Sequence, residues 1–498
     1  MEFLTWHYRK GLQFYVESWS GSLNWVIHYF SLTLLLKTLF SPWKRLIIVD
    51  KSAGFNLQQA FQVFSFNLVS RGIGAVVRII LFCVGLVFIL FTLLGGISGL
   101  LFWITFPFFG LSAYYKYKGQ PKIFVSDIMD KLKLTNKKPL EVIFGNDAGQ
   151  FILSHTGLKL DELISAANDD KVNFNNFHPE SYQDIIERLI KSGVWTETFF
   201  NKKEVGGSDL ILSAAWWDKM RAEKTRLGGS EFGRPGIALE ITFGYTPTLN
   251  QYSVDLSLPQ SFSHRLIGRQ QVVGRMERTL ASGNSIVLMG APGVGKKTVV
   301  LEFARRAAGG QFGKQMSYKR VLEFDYNALL SEATDVNKKK VKLAEILAEA
   351  AYAGNIILAI RDIQRLTNVE VEGYDFTDVF EDYLEKRELK IIAVSTNTDY
   401  ERFISQNMRL RKFLEKVEII PPTKEEALEI LVEAAQRWER LAKLTITVPA
   451  LRNILEESDR FVSDVPFPEK ALELLDAVVT YCEQSGKTVV MPDDTNIV

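Results

Sequence analysis

The sequence has few of the residues that build disulfide frameworks and metal centres. Its 498 residues include two cysteines, Cys83 and Cys482, which lie far apart, and five scattered histidines. This spacing indicates neither a disulfide framework nor a metal site. The formal net charge is only +1, so we expect no nucleic-acid partner.

One long stretch near the N-terminus has no charge at all. Residues 79–113 contain no Asp, Glu, Lys or Arg, and as one helix they would extend about 52 Å, well beyond a hydrocarbon core of about 30 Å. Glycines at positions 95, 96 and 99 lie near its middle. The sequence therefore predicts a transmembrane hairpin over about 76–115, with spans near 76–94 and 97–114. A buried hairpin in a soluble protein is the alternative, but the apolar run is too long and unpatterned to favour it.

Basic residues flank the predicted hairpin. Arg71 and Arg78 precede it, and Lys116, Lys118 and Lys122 follow it. Because cytoplasmic flanks are enriched in Lys and Arg, we expect a multi-pass protein of the inner (cytoplasmic) membrane with its soluble domains in the cytoplasm. Residues 23–46 are also apolar and could form a third span or lie in the interface. Their Lys37, Lys44 and Arg45 favour the interface.

The rest of the chain divides by composition. After a membrane part at 1–120, residues 121–225 indicate short amphipathic helices, and the Gly- and Pro-rich segment 226–262 indicates a linker. Residues 263–420 alternate strands, near 285–289, 320–324, 355–360 and 390–394, with helices. That alternation is typical of a parallel sheet covered by helices. A helical region, 421–498, follows.

A phosphate-binding loop lies at the start of this α/β region. An apolar run at 286–289 leads into the turn Gly290, Ala291, Pro292, Gly293, Val294, Gly295, and Lys296 then opens an amphipathic helix. Glycines let backbone N–H groups surround phosphate oxygens, and the lysine reaches the outer phosphates. The pattern requires a magnesium-binding hydroxyl next, but Lys297 stands there. Thr298 comes one residue late, which is a rotation of roughly 100° on a helix.

The sequence resembles the first ATPase module of the Clp family (ClpA, ClpB and ClpC). The resemblance rests on LIGR at 266–269, GAPGVGK at 290–296, GNIILAIRDIQRL at 354–366, LKIIAVSTNTDY at 389–400 and VSDVPFPEKALELLDAV at 462–478. It implies an α/β fold, namely an AAA+ P-loop parallel sheet with a C-terminal helical subdomain. Residues 121–225 are similar, more weakly, to the all-α Clp N-terminal domain, and the transmembrane hairpin precedes them.

The resemblance assigns roles to individual positions. Ile267 and Gly268 correspond to the adenine contacts, the loop and Lys296 to the phosphate contacts, Thr396 to the polar sensor and Lys470 to the lid lysine. Where the family has Asp-Glu after a strand, this chain has Arg361 and Asp362. Arg361 would repel magnesium or neutralise phosphate in its place. The trans-acting arginine falls near Arg411, Lys412 and Phe413, and the pore loop becomes Thr334, Asp335, Val336 and Asn337.

These substitutions predict a ring that binds ATP or ADP but hydrolyses it poorly and depends weakly on magnesium. The expected partners are a homo- or hetero-oligomeric ring, protein clients, the membrane, and a second Clp ATPase module or a protease. The end at Val498 indicates either a fragment or a partner module on another chain. One alternative is an active chaperone ATPase that uses Thr298 and Asp362. The other is an adaptor or signalling protein that uses nucleotide as a switch.

Overall fold

The computed structural model describes residues 2–43, 57–118, 121–134, 138–168, 171–172, 174, 177–226, 236–258, 266–332 and 335–497. The chain forms two compact units. One comprises Met1–Leu12, Phe106–Ser230 and Pro421–Val498, and the other comprises Gln13–Thr105 and Glu231–Ile420. Thr334 of the predicted pore loop lies outside the described residues, as do residues 44–46 of the apolar segment 23–46.

The N-terminal region is helical, but the predicted hairpin turn is wrong. Its helices are α1 (Glu2–Trp6), α2 (Leu12–Phe30), α3 (Leu32–Lys37), α4 (Leu57–Thr105) and α5 (Leu111–Lys118). Helix α4 continues through the glycines at 95, 96 and 99, and it is the one described helix that is long and apolar enough to cross a bilayer. Two separate spans are therefore not formed at 76–94 and 97–114, and the multi-pass prediction is not supported.

The glycines of α4 make room for α2 instead of a turn. A Cβ at Gly96 would overlap the Trp19 ring, and one at Gly99 would overlap the Tyr15 hydroxyl. Tyr15 Oη donates to the Gly96 carbonyl and Trp19 Nε1 to the Thr92 carbonyl, each at 2.9 Å. A helical glycine costs about 1 kcal/mol relative to alanine, and these contacts with α2 offset that cost.

The apolar segment 23–46 is not one continuous helix. Ser31 adopts a left-handed conformation, with φ 46°, and separates α2 from α3. Phe30 packs against Phe88 of α4 with ring centroids 5.4 Å apart, and His28 Nε2 lies 2.9 Å from the Tyr318 hydroxyl. The described part of this segment is therefore a broken helix that contacts both α4 and the α/β region.

A region of short helices follows, called the helical domain below. It contains α6 (Pro121–Leu134), α7 (Pro139–Phe144), α8 (Asp147–Thr156), α9 (Leu160–Ser165), α10 (Tyr182–Lys191), α11 (Glu197–Lys203) and α12 (Gly207–Arg226). Its core includes Leu140, Phe144, Ile185 and Leu210, each fully buried. Ser181 and Asp184 form a capping box that starts α10, and this pairing satisfies N–H groups that a helix start leaves unpaired.

The α/β core begins earlier than the sequence predicts. It contains α13 (Ile237–Thr242), α14 (Pro247–Gln251), β1 (Ser253–Asp255), α15 (Gln270–Ala281), β2 (Ser285–Met289), α16 (Lys296–Ala308), β3 (Arg320–Phe324), α17 (Tyr326–Glu332), α18 (Val336–Ala353), β4 (Ile356–Arg361), α19 (Gln364–Thr367), α20 (Val369–Glu372), α21 (Thr377–Glu385), β5 (Lys390–Ser395), α22 (Asn397–Asp399), α23 (Met408–Arg411) and β6 (Leu414–Glu418). Strand β1 pairs antiparallel with β3, so residues 253–255 of the predicted linker belong to the sheet.

The sheet order is β1-β3-β4-β5-β2-β6, and every pair except β1–β3 is parallel. Alternate residues of β2 enter different cores: Val287 and Met289 on one face, Ile286 and Leu288 on the other. This arrangement confirms the predicted parallel sheet with helices on both faces, since strand side chains alternate between faces. Because β2, β4 and β5 run parallel, their C-terminal ends lie at the same edge of the sheet.

The C-terminal region is the predicted helical subdomain, called the lid below. It comprises α24 (Lys424–Ala442), β7 (Thr445–Ile446), α25 (Val448–Phe461), α26 (Glu469–Gln484), β8 (Val489–Val490) and α27 (Pro492–Thr495). Thr423 and Glu426 form the capping box of α24. Strands β7 and β8 pair in parallel.

Candidate nucleotide-binding site

The phosphate loop has the geometry that the sequence predicts. Strand β2 ends at Met289, and α16 begins at Lys296. Gly293 and Gly295 have φ values of 75° and 91°, a left-handed region that glycine enters without steric cost. The first turn of α16 leaves N–H groups without helical partners at the mouth of this loop. Such an arrangement binds phosphate.

Two cations lie against the loop. Lys296 Nζ donates to the carbonyls of Gly290 and Ala291, both at 2.8 Å. Arg269 donates from Nη1 to the Val294 carbonyl at 2.6 Å. Arg269 directly follows Ile267 and Gly268 and is the N-cap of α15, so the predicted adenine contacts lie just before α15, next to a residue that contacts the phosphate loop. The structure thus brings the two predicted nucleotide-binding segments together.

The residues beside the loop do not fit a magnesium ion. Lys297 is exposed in the first turn of α16, and Thr298, one position later, is half-buried. Strand β4 then ends in Arg361, which forms an ion pair with Glu323 of β3 and keeps 61% of its side chain exposed. Magnesium prefers hard oxygen ligands such as carboxylates and hydroxyls. Lys297 and Arg361 stand at the two sequence positions that the resemblance assigns to such ligands, and neither side chain offers an oxygen.

Glu323 draws Arg361 away from the loop. In the sheet, β3 lies on one side of β4, whereas β5 and then β2 lie on the other. The Arg361 guanidinium therefore reaches toward the strand farther from the phosphate loop. In this contact Arg361 pairs with a carboxylate of its own sheet, whereas the sequence predicted that it could act as a counter-ion for phosphate.

Asp362 leaves the strand in an unusual conformation. Its φ is 50°, in the left-handed region, which Asp enters more easily than most residues other than glycine and Asn. Its N–H donates to the Val394 carbonyl at 2.9 Å. Because the backbone turns at Asp362, its carboxylate does not continue the alternation of β4. Asp362 therefore does not take the position that the next residue of a continued β4 strand would have.

Thr396 follows β5, next to the phosphate loop in the sheet. Its neighbour Ser395 pairs with Met289, the last residue of β2. The Thr396 hydroxyl donates to Asp399 Oδ2 at 2.7 Å and accepts from the Asp399 N–H at 3.0 Å. The predicted sensor residue thus lies at the correct edge, with its hydroxyl engaged in the cap of α22.

The basic residues near α23 differ in their partners. Arg409 Nε and Lys412 Nζ bind the two oxygens of Glu381, at 2.6 Å and 2.9 Å. Arg411 is exposed, and within the described residues it forms no ion pair. Phe413 is partly buried against the core. Arg411 is therefore the arginine of this group whose side chain is exposed and could contact another molecule.

Lys470 belongs to the other compact unit. Its Nζ donates to Asp459 Oδ1 at 2.9 Å and to the Val462 carbonyl at 3.2 Å, and it lies 4.2 Å from the Phe467 ring centroid. These contacts hold the lysine inside the lid. Its predicted role toward nucleotide stays a prediction.

Comparisons with known proteins agree with this architecture. Residues 423–492 match the family described as the AAA lid domain. The chain is 30% identical over 246 residues to the chaperone protein ClpB of Mycoplasmoides gallisepticum, covering 47% of this chain and 34% of that protein. It is 25% identical over 370 residues to the ATP-dependent Clp protease ATP-binding subunit ClpC of Staphylococcus saprophyticus, covering 72% and 43%. Over these segments the chain is similar to Clp-type AAA+ ATPases.

The match to this family covers only part of its larger members. The chain spans 34% to 43% of the length of these two curated relatives. Among solved structures, a complex of Saccharomyces cerevisiae Hsp104 with casein matches with a TM-score of 0.46 and 21% identity, covering 50% of this chain and 44% of that one.

Two residues near the site were missed by the sequence analysis. Glu323, the partner of Arg361, lies on β3 among apolar residues. Its position in a strand beside β4 is the signal that could have indicated it. Ser395 is 1% exposed, and its hydroxyl has no hydrogen-bond partner within the described residues. Ser395 could have been found from the sequence because it is a polar residue at the end of a buried strand, directly before Thr396.

Proposed function

We propose that this chain is a membrane-anchored Clp-like AAA+ module that binds ATP or ADP and assembles into a ring, with impaired hydrolysis. In this role it serves the unfolding or remodelling of proteins at the membrane. The observation that carries the proposal is a complete phosphate loop beside a strand that ends in Arg361, bound to Glu323. Binding and hydrolysis need different parts of the site, and this chain keeps only the first.

The binding half of the proposal rests on the loop and its two cations. Gly293 and Gly295 adopt the left-handed conformations that a phosphate loop requires, and Lys296 lies at the start of α16. Its ammonium group donates to the carbonyls of Gly290 and Ala291, and phosphate oxygens are stronger acceptors for a cation than carbonyls. ATP and ADP are therefore the expected ligands.

The impaired-hydrolysis half rests on charge. Phosphoryl transfer depends on a metal that bridges the outer phosphates and on a group that orients the attacking water. Lys297 and Arg361 replace the oxygen ligands that the resemblance implies for the metal with cationic side chains, and Asp362 lies past a left-handed turn. We therefore expect nucleotide binding that depends weakly on magnesium.

The membrane-anchoring part of the proposal rests on α4. Its apolar part, Phe61–Thr105, is 45 residues long, and only 17% of its most apolar window is buried in the protein. An exposed apolar surface of this size needs a lipid or protein partner. We expect the chain to stay with the membrane fraction after alkaline carbonate extraction, and a chain without residues 1–120 to be released.

The ring, client and adaptor assignments come from the relatives. The proteins that this chain resembles are named as chaperones and as an ATP-binding subunit of a protease. The alignment with ClpC covers 72% of the chain, more than the ATPase module alone, which supports an N-terminal Clp-like domain in the helical region. A second Clp ATPase module or a protease would be a further partner.

The nucleotide affinity of the full chain in detergent, with magnesium and with EDTA, tests the proposal beside ATP turnover. We expect ATP or ADP to bind with an affinity that changes less than about tenfold, or 1.4 kcal/mol, between the two conditions. Lys296→Ala should abolish binding, and turnover should stay near background. Robust magnesium-dependent turnover that Lys296→Ala and Asp362→Asn both abolish would favour the active ATPase instead.

A further inference from the structure

The helical domain shares a core with the lid, although the two are far apart in the sequence. Helix α12 contributes Leu210 and Ala214 to the core of the helical domain. Trp216, on another face of α12, is 2% exposed and lies in a cluster whose other buried members all come from the lid. Leu212 and Met220, four residues to either side of Trp216, pack against the same cluster.

An ion pair lies at the start of α12. Arg452 of α25 binds Asp209 Oδ2 at 2.9 Å, and the Asp209 side chain is only 4% exposed. The Gly206 N–H donates to the same oxygen at 2.7 Å. Removing one partner of such a buried pair leaves the other charge unpaired in an apolar environment, which is costly. The pair therefore favours one relative position of α12 and α25.

A third contact joins α8 to the lid. His155 Nε2 lies 2.9 Å from Glu439 Oε1 of α24, so Nε2 carries a hydrogen in this contact. The same carboxylate oxygen accepts from the Ile446 N–H of β7 at 2.9 Å. The imidazole stacks on Phe151, with centroids 3.8 Å apart, and meets the edge of Trp216 at 4.7 Å. One buried cluster thus connects α8, α12, α24 and β7.

We propose that the helical domain is fixed to the lid and turns with it as one rigid body, instead of swinging on a flexible linker. The docking contact comprises Trp216, Asp209–Arg452 and His155–Glu439. Its consequence, that a lid movement on nucleotide binding carries the helical domain with it, rests on the proposed function. The rigid connection itself does not.

A distance measurement between spin labels tests the connection in the full chain in detergent. Labels at Lys202→Cys in α11 and Glu473→Cys in α26 lie at exposed positions of the two parts, and Cys83→Ala removes the exposed native thiol. We expect one narrow distance distribution that is the same with ATP, with ADP and without nucleotide. Because this result needs no nucleotide to bind, it is independent of the test of the proposed function.

Arg452→Glu places a second carboxylate against Asp209 and should broaden the distribution at least about twofold, as expected for a flexible tether. Arg460→Glu makes the same charge change at an exposed position of α25 and should leave the distribution narrow. If Arg452→Glu fails to fold, Glu439→Gln and Trp216→Ala provide the test. A broad distribution in the parent chain, or a narrow one in every docking-contact variant that folds, would overturn the proposal.

Discussion

At the scale of single residues, the proposed weak dependence on magnesium rests on Lys297 and Arg361. Lys297 adds a cation in the first turn of α16, and Arg361 ends β4 with a side chain bound to Glu323. Neither side chain can donate a lone pair to a divalent ion, because both are cationic donors. Restoring the oxygen ligands should therefore restore magnesium dependence.

The variant Lys297→Thr with Arg361→Asp and Asp362→Glu tests this argument. We expect the affinity for ATP in magnesium to rise at least about tenfold over that in EDTA, which corresponds to about 1.4 kcal/mol. Isothermal titration with ATP under both conditions measures it. Lys297→Thr alone serves as the control, since it keeps Arg361 and should gain little. A folded triple variant that still ignores magnesium would show that the metal ligands are not what the site lacks.

The residue identities that decide this site could be predicted from the sequence, but their contacts could not. Lys297 stands inside a recognisable pattern, so its departure is visible without a structure. Glu323 and Arg361 come from different strands, and their pairing depends on the sheet order that sets β3 beside β4. The left-handed turn at Asp362 is equally a property of the folded backbone. Sequence reasoning therefore identified the two substitutions but could not reveal that Arg361 pairs with Glu323.

At the scale of elements, the sequence predicted the type of each long segment better than its ends. The α4 glycines show why. A glycine favours a turn in isolation, but within an apolar run of this length the helix also gains close packing against α2 through Tyr15 and Trp19. That packing depends on a partner helix about 80 residues earlier, which local patterns do not reveal.

Helix α12 carries a carboxylate whose environment penalises its charge. Burial raises the pKa of Asp218 to about 6 from 3.8, despite hydrogen bonds from the backbone N–H groups of Gln183 and Tyr182. Its Oδ2 lies 2.8 Å from the Gln183 nitrogen, at the start of α10. The folded chain therefore binds this proton more tightly than the unfolded chain does. This term favours folding at low pH and is lost as the pH rises from about 4 through about 6.

Asp218→Asn should therefore stabilise the chain at neutral pH. The asparagine oxygen can still accept from Gln183, but it brings no buried charge. After allowance for solvent screening, we expect a gain on the order of 1–2 kcal/mol at pH 7.5 and a clearly smaller gain at pH 4.5, where the folded carboxyl is already largely protonated. Urea unfolding followed by tryptophan fluorescence measures the change. Asp130→Asn, at an exposed position of α6, is the matched control. An equal gain at both pH values would contradict the argument.

At the scale of the whole molecule, the order of domains was predictable but their attachment was not. The helical domain, the α/β core and the lid follow one another as the sequence indicates. The Gly- and Pro-rich segment 226–262 nevertheless predicted a simple linker. Part of it, β1, joins the sheet, and the helical domain shares a buried cluster with the lid. Contacts between parts so distant in sequence depend on the complete fold.

Assembly into a ring requires a residue that can reach a neighbouring subunit. Glu381 holds both Arg409 and Lys412, so these two cations are already engaged within their own chain. Arg411 is exposed at the end of α23 and forms no ion pair within the described residues. An arginine in this state can bind a phosphate group of a nucleotide on another subunit without first breaking an internal contact.

Arg411→Ala should therefore remove the effect of ATP on assembly, whereas Arg409→Ala should preserve it. Sedimentation velocity of the full chain in detergent, with and without ATP, measures the oligomer. The Arg409→Ala variant loses only a surface ion pair, worth roughly 1 kcal/mol or less, so this variant is the matched control. The opposite pattern, with assembly lost in Arg409→Ala and retained in Arg411→Ala, would place the intersubunit contact on the Glu381 cluster. ATP-driven assembly in both variants would show that neither Arg409 nor Arg411 is needed for the contact between subunits.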